Sequence, residues 1–137
     1  MNSLILIGGG GHCKSVISIA EKCGFDILGI IDRPSELGNK VFDYQVIGND
    51  DNIEKFVDKA VFHITVGFVK NADLRIKLFE NVIKHRGKIV SIVSPNACVS
   101  KYSEIGEIIE TILPPFLITF SKSLIRKSAF LTNPNVI

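Results

Sequence analysis

The sequence predicts an α/β fold over residues 1–94, with a parallel sheet and flanking helices, followed by the start of a repetitive β region over 95–137. Three observations predict it. The apolar run "SLILI" (3–7) leads through four glycines into a helix-spaced segment and then into a second apolar run, "DILGII" (26–31). That is one β-α-β unit of about 30 residues. A β-branched stretch, "AVFHITVG" (60–67), repeats the pattern with a second helix-spaced segment and the run "KIVSIV" (88–93). Beyond Pro95 the helical period disappears, and single aliphatic residues recur about six apart.

Each element has a local reason. Residues 3–7 are continuously apolar and bounded by glycine, as in a strand buried on both faces. From His12 to Cys23, Val16, Ile17, Ile19 and Ala20 share one helical face, and Gly24 is placed to cap the C-terminus. The strand 26–31 ends at Asp32-Arg33-Pro34, since proline offers no donor to a ladder. Residues 33–43 read as a polar loop and "YQVIG" as a short strand. Asn49 or Asp50 caps a short helix through Phe56 and Val57. After the strand 60–67, Asn71 or Asp73 caps a helix whose stripe is Leu74, Leu78 and Val82, widened by Ile76, Phe79 and Ile83. Lys84, His85 and Arg86 suit its C-terminal dipole, and Gly87 ends it. The run 88–93 is the last strand, and Ser94-Pro95 closes the sheet.

In the tail, Val93, Val99 and Ile105 are six apart, as are Ile112 and Ile118, and then Ile125, Leu131 and Ile137. That spacing marks a left-handed parallel β-helix, with each aliphatic pointing inward. The steps from Ile105 to Ile112 and from Ile118 to Ile125 are seven, so the phase slips twice. An irregular β-rich tail is the competing reading.

Composition narrows the function classes. A chain of 137 residues with 46% apolar residues has the makings of one core. A net charge of +2 gives no electrostatic ground for nucleic acid or an anionic membrane as partner. No apolar stretch approaches the ~20 residues that span a bilayer. Cys13, Cys23 and Cys98 have no C-x-x-C spacing, and His12, His63 and His85 form no metal-ligand pattern with them. The expectation is a reduced, cytoplasmic protein without a metal.

The chemistry concentrates in Gly8, Gly9, Gly10, Gly11, His12 and Lys14. Between a strand and a helix, glycines let the backbone approach a ligand, and the helix's first N–H groups and dipole favour phosphate. Lys14 adds a cation. The dinucleotide fingerprint G-x-G-x-x-G is met at Gly8 and Gly10, but its third glycine position holds Cys13, which should loosen helix–strand packing. Asp32 stands where an acidic residue grips a ribose hydroxyl, or it is a solvated turn residue. His12 either contacts a phosphate or substrate group or caps the turn. Gly67 ends the 60–67 strand and opens a second ligand-facing loop, in which Asn71 equally reads as a cap and Arg75 as a surface residue. His63, among apolar neighbours, reads as structural, and His85 as a surface residue.

Four segments together carry a family resemblance. "IGGGGHCKSV" resembles the Gly-Ala-Gly-Gly-His loop that opens the NeuD/PglD-like sugar acetyltransferases, and "ILGIIDRP" resembles their second strand. "HITVGFVKNADLRIKL" and "GKIVSIVSPNACVSKYSEIGE" are similar to their later strand-loop-helix segment and to the junction into their β-helix. The resemblance spans the whole chain in order. It implies a Rossmann-like domain (1–94) that binds a nucleotide-linked sugar through Gly8–His12 and Lys14, with Asp32 near the nucleoside. It also implies a left-handed β-helix from residue 95 that binds acetyl-CoA as co-substrate and forms homotrimers. In that family a β-helix histidine is the general base for acetyl transfer to an amine or hydroxyl.

The departures matter. No histidine follows His85, and Ile108 and Arg126 stand where the family has corner glycines. The β-helix is therefore expected to be incomplete, the homotrimer is in question, and the chain alone is expected to lack acetyl transfer. The competing classes are an NAD(P)-binding Rossmann domain and a non-catalytic remnant.

Overall fold

A computed structural model describes residues 2–67, 73–103 and 105 of the protein. Its strands are β1 (Ser3–Ile7), β2 (Asp26–Ile31), β3 (Lys40–Val41), β4 (Tyr44–Gly48) and β5 (Val61–Ile64). They form one sheet in the order β3-β4-β2-β1-β5. β1 pairs in parallel with β2 and β5, and β2 with β4, whereas β3 runs antiparallel to β4. Two helices complete the unit, α1 (Gly11–Lys22) and α2 (Asp73–Lys84).

Alternation along β1 explains its unbroken apolar run. Leu4 and Leu6 join Val16, Ile17 and Ala20 of α1 in one core. Ile5 and Ile7 join Leu78 and Val82 of α2 in the other. A strand flanked on both sides must be apolar at every position, because successive side chains point to opposite faces. Cys13 is fully buried in the α1 core, so a small thiol fits where the fingerprint would place glycine, and the expected loosening is not observed.

Gly24 ends α1 as its position predicts. Its φ of +77° is left-handed, Gly24 N–H donates to Glu21 C=O (3.0 Å), and Phe25 N–H donates to Ala20 C=O (3.0 Å). These are the paired bonds of a Schellman motif. The same bonds close α2, from Arg86 to Ile83 and from Gly87 to Val82, both at 2.9 Å. There, however, Arg86 takes the left-handed position (φ 61°) and Gly87 does not. Gly87 is needed for closeness, since a Cβ would lie 2.7 Å from Val82 Cγ1 and 3.2 Å from Phe62 Cε2. Arg86→Gly should therefore stabilise the fold by about 0.5–1 kcal/mol, the relieved strain exceeding the added chain entropy. A raised urea midpoint with an unchanged m-value would be the sign.

Several expectations need correction. The stretch 33–43 is not all loop: a 3-10 turn (Pro34–Glu36) leads into β3. Only two residues pair there, too few to leave an apolar pattern. The short helix expected after β4 is present, as a 3-10 helix over Asp50–Phe56, and of the two cap candidates it is Asn49 that caps it, in a reciprocal bond pair with Asn52. The strand 60–67 shortens to β5. On α2, Leu78 and Val82 are buried, but Leu74 and Ile83 are 51% and 46% exposed. The cap at Asn71 lies outside the described residues.

The strand expected at 88–93 is reduced to a parallel bridge between Ile89 and Phe62 at the sheet edge. A continuing parallel ladder would offer Val90 C=O to Ile64 N–H, the next β5 donor on that edge. That carbonyl instead accepts from His63 Nδ1 at 2.8 Å.

Past this edge, two turns of the same build follow. Ala97 N–H donates to Ser94 C=O and Ser103 N–H to Ser100 C=O, each at 2.9 Å. In each, the serine hydroxyl oxygen also accepts from the amide two residues on, Asn96 or Tyr102, at 3.3 Å. The two turns are six residues apart, the period read from the aliphatics. Val99 is half-buried and Ile105 is 41% exposed. The coil itself, with Ile108, Ile112, Ile118, Ile125, Arg126, Leu131 and Ile137, lies outside the described residues.

Candidate functional site at the carboxyl edge of the sheet

Ile7 is in register with both Ile31 and Ile64, so β1, β2 and β5 release their chains side by side at one edge. The residues singled out in the sequence gather there. Gly8 N–H donates to Ile31 C=O at 2.8 Å, and Thr65 N–H to Ile7 C=O at 2.8 Å. The buried Thr65 hydroxyl shares its proton between the carbonyls of Ile7 (3.0 Å) and Gly8. Gly8 turns the chain at φ +110°, and a Cβ would lie 2.7 Å from Val66 Cγ2. Glycine here is a steric requirement of the turn.

Gly9 has a different reason. Its N–H donates to Asp32 Oδ2 at 2.7 Å, and a Cβ would collide with that oxygen at the same distance. The other carboxylate oxygen, Oδ1, accepts from Arg33 N–H at 2.7 Å. Asp32 is thus a clamp that ties the glycine loop to the end of β2, rather than a merely solvated turn residue. Its side chain is 20% exposed, so each oxygen keeps a lone pair for a further donor. Partial burial raises the pKa of the nearby Asp50 carboxyl, with the like charges of Asp51 and Asp32 adding to the shift. The β2–β4 side of the edge is therefore the acidic one.

Gly10 and Gly11 have no such demand on them. Gly10 is the N-cap at an ordinary φ of −71°, and Cβ atoms on either would meet nothing within 4 Å. Among the described residues, no side chain caps α1 and no acidic residue lies in its first turn. Serine or aspartate at the N-cap would satisfy a backbone donor with its side chain, at a gain of about a few tenths of a kcal/mol over glycine. Glycine leaves the helix end bare instead. His12 is half-buried and Lys14 exposed on this first turn. Gly67 is exposed beyond β5, with open space where its Cβ would be.

Three contributors were not legible in the sequence. Thr65 was one position in an apolar strand, and its clamp spans 57 residues. Arg75, read as a surface residue, is half-buried and donates from Nη1 to Val66 C=O at 3.1 Å, fixing the chain end beside Gly8. The third is the β3–β4 hairpin: Val41 Cγ2 lies 3.4 Å from where a Gly9 Cβ would stand, and Lys14 Nζ lies 5.9 Å from the Phe42 ring centroid. Among the described residues, no cluster of His, Cys, Asp or Glu is arranged to hold a metal, and no helix is long and apolar enough to cross a membrane.

The PglD N-terminal domain family matches residues 3–82. No curated protein matches the chain. A mutant of perosamine N-acetyltransferase from Caulobacter crescentus, in complex with CoA and GDP-perosamine, is similar at TM-score 0.70 and 25% identity, over 84% of this chain and 56% of that one. The acetyltransferase domain of PglB from Neisseria gonorrhoeae FA1090, in complex with acetyl coenzyme A, is similar at TM-score 0.65 and 26% identity, over 77% of this chain and 50% of that one. The chain thus spans about half the length of these acetyltransferases. RSP, a Rex-family repressor in complex with beta-NAD+ and operator DNA, shares the fold alone, at TM-score 0.54 and 22% identity over 99% of this chain and 63% of that one.

Proposed function

The chain belongs to the PglD N-terminal domain family, and on that footing we propose that residues 1–94 are the nucleotide-sugar-binding domain of an acetyl-CoA-dependent sugar acetyltransferase. One observation carries the reading: the N-terminus of α1 is bare at Gly10 and Gly11, beneath open space. Exposed first-turn amides and the positive end of a helix dipole suit a diphosphate. Lys14 adds charge at that end, and His12 donates to a phosphate or sugar oxygen. Asp32, already holding Gly9, keeps lone pairs for a ribose hydroxyl. Gly67 forms the opposite lip.

Acetyl-CoA would bind in the second region, 95–137, as the start of a left-handed hexapeptide-repeat β-helix. The paired turns at Ser94 and Ser100 support that period. In this reading the protein is cytoplasmic, serves polysaccharide or glycan-precursor synthesis, and assembles as a trimer where the β-helix is complete. No histidine follows His85, so the 137 residues alone are expected to bind the sugar nucleotide without acetylating it.

Calorimetric titration of the 137-residue chain with GDP- and UDP-linked amino sugars, and separately with NADH, tests the reading. Saturable sugar-nucleotide binding is expected, with no turnover when acetyl-CoA is added. Tight NADH binding without sugar-nucleotide binding would replace it with a nicotinamide-binding domain, the role Asp32 would also suit. Binding of neither would point to a non-catalytic remnant.

A further inference from the structure

We propose that the β3–β4 hairpin carries the base-recognition wall of this site, with Phe42 as the stacking platform for the nucleobase. The inference rests on the nucleotide-binding reading above and deepens it.

Val41 and Tyr44 pair across a two-residue turn, Phe42-Asp43. Phe42 adopts φ +54°, while Asp43 does not enter the positive-φ region. Hairpin turns with one positive φ at the first central residue take glycine there, because a Cβ is strained in that conformation. A bulky aromatic at positive φ is an outlier that local preference does not explain.

Burial does not explain it either. Phe42 is 56% exposed, so the ring gains little from the core. The turn therefore retains a strained and poorly buried aromatic where glycine, asparagine or aspartate would be more stable.

What the ring does have is a position. Val41 packs beside Gly9, and Lys14, the fourth residue of α1, holds its ammonium over the Phe42 ring at 5.9 Å. The hairpin tip thus stands at the rim of the glycine loop, on the same side as Asp32. A diphosphate at the α1 N-terminus and a ribose at Asp32 leave the base on that side. A flat, exposed aromatic stacks on any base, purine or pyrimidine, because every base has a π-face. The neighbouring ammonium favours the ring face in the free protein and lies close to where the phosphates would be.

The test compares the full 137-residue chain with Phe42→Ala, Phe42→Gly and Phe42→Trp, titrated with GDP, UDP and inorganic pyrophosphate. Phe42→Ala and Phe42→Gly should weaken GDP and UDP binding by about 5- to 100-fold, the usual range for losing a stacked base. Pyrophosphate binding should be unchanged, and Phe42→Trp should bind the nucleotides at least as well as the wild type. Phe42→Gly should also melt about 2–6 °C higher, since the strain is gone. Stability that rises while nucleotide affinity falls is a pattern a purely structural residue does not produce. If the wild type binds GDP or UDP and Phe42→Ala binds equally well, the stacking role is wrong and the site reading stands. If the wild type binds neither nucleotide, the site reading fails and this inference falls with it.

Discussion

Gly8→Ala is expected to lower the free energy of unfolding by about 2–5 kcal/mol, read from urea denaturation midpoints at constant m-value. Two costs add. At φ +110° an L side chain is strained wherever there is room, and here there is none: a Cβ would sit 2.7 Å from Val66 Cγ2 and 3.1 Å from Val66 N. The neighbours cannot yield cheaply. Gly8 N–H is held by Ile31 C=O at 2.8 Å, its carbonyl is held by the Thr65 hydroxyl, and Arg75 holds Val66 C=O at 3.1 Å. Gly10→Ala is the control. Gly10 has an ordinary φ and open space, so the variant should lose only about 0.5–1 kcal/mol, the cost of alanine at an N-cap, while nucleotide binding weakens under a partly covered helix end. Equal midpoints for Gly8→Ala and Gly10→Ala would show that the turn at Gly8 is not strained as described.

Asp32→Ala is the second large effect, expected at about 2–3 kcal/mol of stability and at least tenfold in GDP or UDP affinity. The carboxylate accepts two backbone N–H groups at 2.7 Å, from Gly9 and Arg33. Truncation leaves the half-buried Gly9 donor without that acceptor and frees the loop that presents Gly10 and Gly11. Asp32→Asn separates holding the loop from carrying the charge. Its side-chain oxygen can still accept from Gly9, so it should keep more of the stability than alanine does. Its affinity should fall between the two, because an amide holds a ribose hydroxyl less firmly than a carboxylate. If both variants bind nucleotide like the wild type, Asp32 serves only the turn and the ribose lies elsewhere.

The elements nearest the site were the most legible in the sequence. β1, α1 and β2 follow from features contained within a few residues of one another: a doubly buried apolar run, a helical stripe, and Gly24 as the left-handed cap. The glycine loop was visible for the same reason, being contiguous. Legibility faded where an outcome depended on a partner. Leu74 and Ile83 share the helical period of Leu78 and Val82 but face solvent, because only the contact with the sheet decides which side of α2 is inside. The 88–93 run has strand composition, but His63 takes the carbonyl that would extend its ladder.

By itself, then, the sequence determined the β-α-β frame and the glycine loop between β1 and α1. These are local or contiguous properties that backbone geometry and hydrophobic period express without knowing the rest of the chain. Only the tertiary structure decided that Asp32 holds Gly9 from 23 positions away, that Thr65 and Arg75 lock the turn at Gly8 and Val66, and that Phe42 stands strained at the rim. Those facts arise because a parallel sheet brings the ends of distant strands to one edge. There, hydrogen bonds and close packing join residues whose spacing in sequence carries no signal.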